Sequence, residues 1–189
     1  MPPANKRGRE NTSSMKNGPG MEKIKNIILH PISMLIIGLI TGVIVKLIDI
    51  YFRVQHLGFS LSDVFSQLGV WIVIGVIISL FSKNKRYAML NVFLFCIGML
   101  ITYYISAEAT NSVYGWNFIK GWVVFACCSP LMAYLVTLTK NKGIFPLIIK
   151  IGIFVVYLVT DILLFGGPRI YDFIFILLLI YLLFIKKYQ

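Results

Sequence analysis

Residues 31–53 read PISMLIIGLITGVIVKLIDIYFR. At a rise of about 1.5 Å per residue, this stretch is long enough to cross the hydrocarbon core of a bilayer as one helix. Its last part adds Lys46, Asp49 and Arg53 at positions i, i+3 and i+7, so their side chains share one helical face. The stretch therefore predicts a membrane-spanning helix with a charged face toward its C-terminal end.

Toward the middle of the helix, the same face carries Gly38 and Gly42. Ionised side chains are costly to expose to lipid, and glycines on a helix face let a second helix approach closely. We therefore expect this face to lie against another helix or a water-filled pocket.

The composition indicates that the whole chain is a membrane protein. Of its 189 residues, 58% are hydrophobic and only 13% are charged, which is more apolar surface than a soluble domain of this size can bury. The net charge of +11 fits the Lys and Arg residues that flank membrane spans. We exclude nucleic acid as a partner, because no basic segment carries interleaved aromatic residues or the signature of a known module.

Six apolar runs follow one another along the chain, separated by short polar linkers. They occupy approximately residues 27–52, 64–82, 87–106, 116–138, 144–166 and 169–186. Each is close to the ~20 residues that a membrane-spanning helix needs. We therefore predict an all-α integral membrane protein, a six-transmembrane-helix bundle within residues 21–189, whose short linkers make successive helices antiparallel neighbours.

The distribution of basic residues predicts the orientation of the bundle. Fourteen of the 18 Lys and Arg residues fall in the N-terminal tail, in the linkers after the second and fourth runs, at the C-terminus, or in span ends beside them. The positive-inside rule places these segments in the cytoplasm, together with both termini. The abundance of Ile, Lys, Asn, Phe and Tyr is typical of an AT-rich bacterial genome, so we predict the plasma membrane of a bacterium.

Residues 1–20 form a segment of different composition, rich in Pro, Gly, Asn, Ser and basic residues. Such a segment cannot bury enough apolar surface to fold, and we predict that it is disordered. The segment MEKIKNIILHP, which begins at Met21, is typical of a natural start. Residues 1–20 are therefore interpreted as a tail that could be a non-native extension.

Five of the seven acidic residues are predicted to lie at or near the outer side. They are Asp49, Asp63, Glu108, Asp161 and Asp172. The four remaining basic residues, Lys46, Arg53, Lys120 and Arg169, are predicted at the same level. This mixture of charges favours a pocket for a small polar or zwitterionic solute. The candidate ligand-binding residues are Lys46, Asp49, Arg53, Glu108, Lys120 and Asp161.

We expect Lys120 and Asp161 to be the companions of the charged face on the first span, in a pocket walled by the first, fourth and fifth spans. A second interpretation is equally physical. Interfacial ion pairs can serve only to lock helices together, and Tyr and Trp belts mark membrane interfaces in general. The sequence leaves both interpretations open.

The sequence carries no motif of a catalytic or metal site. It has no HExxH, no Cys/His metal spacing and no Gly-rich phosphate loop, and its two histidines, His30 and His56, are predicted on opposite sides of the membrane. We therefore predict no enzyme activity, no catalytic residue, no cofactor and no bound metal. The cysteines, Cys96, Cys127 and Cys128, are interpreted as small buried hydrophobic residues.

These observations favour a membrane protein that binds or transports a small polar solute on its outer side. In general outline it is similar to the substrate-capture components of energy-coupling-factor vitamin importers, which are six-span proteins of about this length. The likeness is one of architecture alone, and it implies a membrane or ATPase partner subunit. The alternative is a non-catalytic accessory protein, such as an assembly or immunity factor; an intramembrane enzyme is a third and weaker hypothesis.

Overall fold

The structure is a computed structural model that describes residues 19–52, 60–112 and 115–186. Within these residues it is entirely helical. The helices are α1 (Pro19–Ile28), α2 (Pro31–Tyr51), α3 (Leu61–Ser66), α4 (Leu68–Phe81), α5 (Lys85–Ala109), α6 (Trp116–Leu138), α7 (Ile144–Phe165) and α8 (Ile170–Ile180), which continues into a π-helical turn, Tyr181–Ile185. The predicted disordered tail and Arg53 lie outside the described residues, except that α1 already begins at Pro19.

Four helices are long and apolar enough to cross a membrane, judged by length and composition. They are α2, α5, residues 119–138 of α6 and residues 144–163 of α7. Two shorter apolar helices, α4 with 14 residues and α8 with its π-helical turn, pack alongside them. The described residues therefore form a membrane-embedded helical bundle with four candidate spans, where the sequence predicted six.

The second predicted span, residues 64–82, is divided into α3 and α4. Ser60 and Asp63 form a reciprocal capping box that starts α3. The backbone is extended at Gln67, where α3 ends, and the indole nitrogen of Trp71 donates a 2.9 Å hydrogen bond to the Phe65 carbonyl oxygen. This bond satisfies a backbone acceptor at the break, since Phe65 lies in the last turn of α3.

Glycines allow α2 and α5 to pack with their backbones in contact. A Cβ atom at Gly38 would overlap the carbonyl oxygen of Phe95, and one at Gly42 would overlap that of Met99. Gly98 approaches α2 in the same way, against the Leu35 carbonyl oxygen. Because both residue numbers rise together along the contact, the two helices run parallel. The glycine face of α2 therefore lies against another helix of this chain, as expected.

The interior of the bundle is an aromatic and aliphatic core shared by α4, α5 and α6. The ring of Trp71 lies 6.5 Å from that of Phe95 and 6.4 Å from that of Trp122, distances typical of aromatic pairs. Cys96 is buried in this core. The expectation of three buried cysteines is wrong for Cys127 and Cys128, which are exposed; Cys128 lines a cavity between α6 and α7, where no side chain of the described residues covers it.

Pro130 lies inside α6 and cannot donate a backbone hydrogen bond to Ala126. The hydroxyl group of Ser129 instead donates a 2.7 Å hydrogen bond to the Ala126 carbonyl oxygen. The adjacent serine therefore replaces the lost backbone donor, which lets α6 continue through the proline.

The two ends of the bundle differ in chemistry. At one end, the Asn91 amide donates to the Leu29 carbonyl oxygen and to Ser82, while Lys140 donates to the Ser82 carbonyl oxygen. Lys186 lies over the Phe81 ring at the same end. We call this the basic end, and the opposite end, which carries Asp49, Asp63, Glu108, Asp161 and Asp172, the acidic end.

Candidate functional site

The first group of polar side chains at the acidic end is centred on Lys46, which is only 1% exposed. Its ammonium group makes a 2.9 Å ion pair with Asp49. Asp49 also accepts hydrogen bonds from Ser62 at 2.8 Å and from Tyr103 at 3.2 Å. The Lys46 nitrogen lies 5.0 Å from the centre of the Tyr103 ring, a favourable cation–π distance. We call these four residues the Lys46 cluster.

The Lys46 cluster joins three helices. Its ion pair and hydrogen bonds join α2, α3 and α5, so the charge on the first span is neutralised and hydrogen-bonded rather than left in lipid. The geometry therefore matches the helix-locking interpretation at this position more closely than an open binding pocket.

The second group is built on two buried aspartates from neighbouring helices. Asp161 in α7 is 1% exposed and Asp172 in α8 is 0% exposed, and they are close enough for their charges to interact. Asp172 accepts a 2.9 Å hydrogen bond from the Tyr157 hydroxyl group and a 2.6 Å bond from the backbone nitrogen of Arg169. The bond from Arg169 is a cap at the start of α8. We call Asp161 and Asp172 the aspartate pair.

Within the described part of the chain, the guanidinium group of Arg169 accompanies the aspartate pair. Arg169 lies 3.9 Å from the carboxylate of Asp63 and donates a 3.2 Å hydrogen bond to the Tyr171 hydroxyl group. This hydrogen bond, with the nearby carboxylates, raises the pKa of Arg169 above its ordinary value, so the residue stays cationic.

The six-residue helix α3 connects the two groups. Ser62 contacts Asp49 in the Lys46 cluster, and the next residue, Asp63, faces Arg169 beside the aspartate pair. The capping box at Ser60 fixes the start of this helix. Two adjacent side chains therefore link the C-terminal end of α2 to the N-terminal end of α8.

Gln67, at the break between α3 and α4, is a buried polar residue without a partner among the described residues. It is 1% exposed, and neither its side-chain oxygen nor its side-chain nitrogen has a hydrogen bond; the same is true of one Asp161 oxygen, Oδ2. Buried polar atoms in folded proteins normally have partners. These atoms therefore identify a place where a polar ligand, an ion or water would be stabilised.

An apolar cavity of about 480 Å³ lies between α4, α5, α6 and α7. Its walls include Trp71, Trp122, Met99 and Gly152. Thr160 and Leu68, which also line it, are the chain neighbours of Asp161 and Gln67, so one end of the cavity reaches the acidic end. From Thr160 to Ile148 on α7, the helical rise gives a depth of about 18 Å. The volume lies within the range of small-molecule pockets.

The structure distributes the predicted site residues differently from the sequence-based expectation. Lys46 and Asp49 come together, but Asp161 meets Asp172 instead of them. Glu108 and Lys120 have exposed side chains at the acidic end of α5 and α6. Arg53 lies outside the described residues. The glycines bring α2 against α5, while α7 packs with α4 and α6, so Asp161 lies apart from Lys46 and Asp49.

Five polar residues that complete these groups are not among the candidate residues predicted from the sequence. They are Ser62, Gln67, Tyr103, Tyr157 and Asp172. The Ser60-x-x-Asp63 pattern is the signal that could have located α3 and hence Ser62. For the tyrosines no signal was available, since their hydroxyl groups find partners only through tertiary packing.

Among residues 19–52, 60–112 and 115–186, no group of three or more His, Cys, Asp or Glu side chains could hold a metal ion. The three cysteines, all within that part of the chain, are free thiols. Comparison with protein-family models, with curated proteins and with solved structures gives no match.

Proposed function

We propose that this protein binds a small solute at the acidic end of the bundle, with that end facing outward, and takes part in its transport. The observation that carries the proposal is the cavity of about 480 Å³, which is lined toward the acidic end by Leu68 and Thr160, the chain neighbours of Gln67 and Asp161. The outward orientation rests on the basic end, which carries the Lys residues that the positive-inside rule places in the cytoplasm.

The chemistry of the cavity refines the solute class. A solute that is polar throughout would leave its hydrogen-bonding groups without partners against walls of Trp, Met, Val and Ile side chains. A molecule with a polar group and an apolar body fits better. Its polar group would meet Gln67 and the exposed charges of Glu108 and Lys120, and its apolar body would fill the cavity.

The proposed role in the cell is that of a substrate-capture subunit. No Gly-rich phosphate loop is present in the sequence, so an energy source in the form of ATP would come from a partner ATPase. The bacterial plasma membrane is the proposed location, on the grounds of charge distribution and composition.

The test is native mass spectrometry of the protein released gently from its own host membrane. We expect a small molecule to remain bound to the wild-type chain. Gly152→Phe should abolish its retention, because Gly152 lines the cavity and has open space where a side chain would begin. Gly121→Phe is the matched control, since Gly121 is also helical with open space around it but does not line the cavity.

A second candidate, a non-catalytic accessory protein, is favoured by one observation. Helix α7 is the least covered of the candidate spans. Of an 18-residue apolar segment in each helix, 17% is buried in α7 and 44% is buried in α5. A helix of a partner protein could therefore complete the bundle beside α7. Co-elution of a membrane protein or ATPase with no small molecule would support this role and contradict solute binding. If the only bound molecules were bilayer lipids in the same ratio as in the membrane, solute binding would also be contradicted.

A further inference from the structure

The walls of the cavity between α4, α5, α6 and α7 offer a ligand few hydrogen-bonding groups. Among the described residues that line the cavity, none is charged, and three carry a hydroxyl group: Ser79, Ser129 and Thr160. Each of these hydroxyl groups donates a hydrogen bond of 2.7–2.9 Å to a backbone carbonyl oxygen of its own helix. A polar ligand body would therefore lose its hydrogen bonds to water here without replacement. The walls match a body of hydrocarbon.

The cavity opens sideways, between α6 and α7. The walls that α4 and α5 supply are buried, as at Val76 and Phe95. On the other side, residues that line the cavity are exposed: Met132 on α6, and Ile148 and Val156 on α7. Both of these helices are candidate membrane spans, so the opening between them faces lipid. We call this opening the α6–α7 seam.

The length of the cavity is close to the thickness of one leaflet of a bilayer. Along α7 it extends about 18 Å from Thr160 to Ile148, and half of a hydrocarbon core of about 30 Å is about 15 Å. With C–C bonds of about 1.5 Å, an extended chain advances about 1.25 Å per carbon, so about 14 carbons would span the cavity.

A helix of a partner protein is too large for the same space. A helix with its side chains is at least about 10 Å in diameter, so a length of about 18 Å fills about 1,400 Å³. The cavity has about 480 Å³. Its size therefore favours a flexible chain over a helix.

We propose that the cavity binds the hydrocarbon chain of a lipid-like amphiphile, which enters from the bilayer through the α6–α7 seam. The polar group of the amphiphile lies toward the acidic end, where Leu68 and Thr160 line the cavity. This class of molecule rests on the proposed function, since it is the solute that the same cavity would take.

The tryptophans of the chain report directly on the cavity. Of the three, Trp71 and Trp122 line it, while Trp116 is exposed at the acidic end. The experiment therefore uses Trp116→Phe protein in nanodiscs of phosphatidylcholine. The probe is octadecanol that carries bromine, a quencher of tryptophan fluorescence, at the middle of its chain. Its neutral hydroxyl group adds no anion beside Asp161.

We expect the fluorescence to fall and then to saturate, with one probe molecule bound per chain, while the probe is still a minor component of the bilayer. Probe molecules that only surround the protein would quench in proportion to their mole fraction. Adding Gly152→Phe should abolish the saturable quenching, because Gly152 lines the cavity. Gly121→Phe is the matched control and should keep it, since Gly121 does not line the cavity. Quenching that is proportional to mole fraction without either glycine substitution would overturn the proposal.

A second measurement does not depend on whether the phenylalanine variants fold. Cys128 lines the cavity and its neighbour Cys127 does not, although both are exposed. Unbrominated octadecanol should slow the reaction of Cys128 with a membrane-permeant maleimide severalfold, measured in Cys127→Ser. The reaction of Cys127, measured in Cys128→Ser, should keep its rate. An unchanged rate at Cys128 would contradict a hydrocarbon chain in the cavity.

The hydrocarbon site and the transport role fail in different ways. If native mass spectrometry retains a water-soluble molecule while octadecanol quenches only in proportion to its mole fraction, the hydrocarbon site is overturned and the proposed function stands. If quenching saturates while the only retained molecules are bilayer lipids in their membrane ratio, the hydrocarbon site is supported and the transport role is overturned.

Discussion

The hydroxyl group of Ser62 donates a 2.8 Å hydrogen bond to Asp49, thirteen positions earlier in the chain. The same carboxylate holds Lys46, which is almost completely buried. A short helix outside the long spans therefore secures the charge that the first long helix carries within the membrane-embedded bundle. The charged face of α2 is thus a structural junction as well as a predicted ligand site.

We predict that Lys46→Met destabilises the protein by about 3 kcal/mol, because it breaks the 2.9 Å ion pair between buried Lys46 and Asp49. The double variant Lys46→Met/Asp49→Asn should be less destabilised than the sum of the two single variants, since it removes both charges. Thermal unfolding in detergent measures all three. Lys120→Met is the control, because its side chain is exposed, and it should change stability by less than about 0.5 kcal/mol. If Lys46→Met and Lys120→Met lowered stability equally, the ion pair between Lys46 and Asp49 would contribute nothing to stability.

Gly42→Ala is predicted to destabilise the bundle by about 1–3 kcal/mol, because the added methyl group would overlap α5. Gly121→Ala should be neutral or slightly stabilising, since open space surrounds Gly121 and alanine favours helix. The comparison is made by thermal unfolding at matched lipid content. Similar stability of the two variants would mean that α2 and α5 are not in backbone contact.

Ser129→Ala is predicted to cost about 1 kcal/mol, because the Ala126 carbonyl oxygen loses its hydroxyl donor next to Pro130. In a Pro130→Ala background, where the backbone N–H is restored, the same substitution should have little effect. A double-mutant cycle measured by thermal unfolding separates the two cases. If Ser129→Ala lowered the free energy of unfolding equally in both backgrounds, Ser129 would act as part of the cavity wall and not as a replacement donor.

The orientation of the bundle is tested by labelling single cysteines in a variant that lacks the three native ones. Ala109→Cys, at the acidic end of α5, should react with a membrane-impermeant maleimide added outside intact cells. Lys83→Cys, in the linker before α5, should react only after the cells are opened. Both positions are exposed. The reverse pattern would place the acidic end in the cytoplasm and remove the basis for an outward-facing site.

Much of the fold follows from patterns that are local in sequence. The boundaries of α6 agree with the predicted run of residues 116–138, and those of α5 and α7 lie within three residues of prediction, because long apolar runs are strong signals. The division of the second run at Gln67 was missed, since Ser66 and Gln67 are a short polar interruption in an otherwise apolar segment. A hydropathy average over a whole span does not resolve an interruption of one or two polar residues.

The candidate site was less accessible from the sequence, for a physical reason. Helical spacing predicts which residues of one helix share a face, and this located Lys46 beside Asp49. It does not predict which helices are neighbours. The pairing of Asp161 with Asp172 depends on α7 turning back through Gly166 and Gly167, both with positive φ, and then packing against α8 and α4. One expected partner of Asp161, Lys120, lies on a different helix and has an exposed side chain.

The glycine contact between α2 and α5 also limits how this protein can change shape. With carbonyl groups of α5 filling the places where side chains of α2 would be, neither helix can rotate about its own axis without a clash, so the two behave mechanically as a single rod. Any motion that admits a molecule to the cavity must then come from the opposite wall. That assigns the moving part to α7, the least covered of the candidate spans, which begins after Gly143 with φ of 134°, and the stationary frame to α2 and α5.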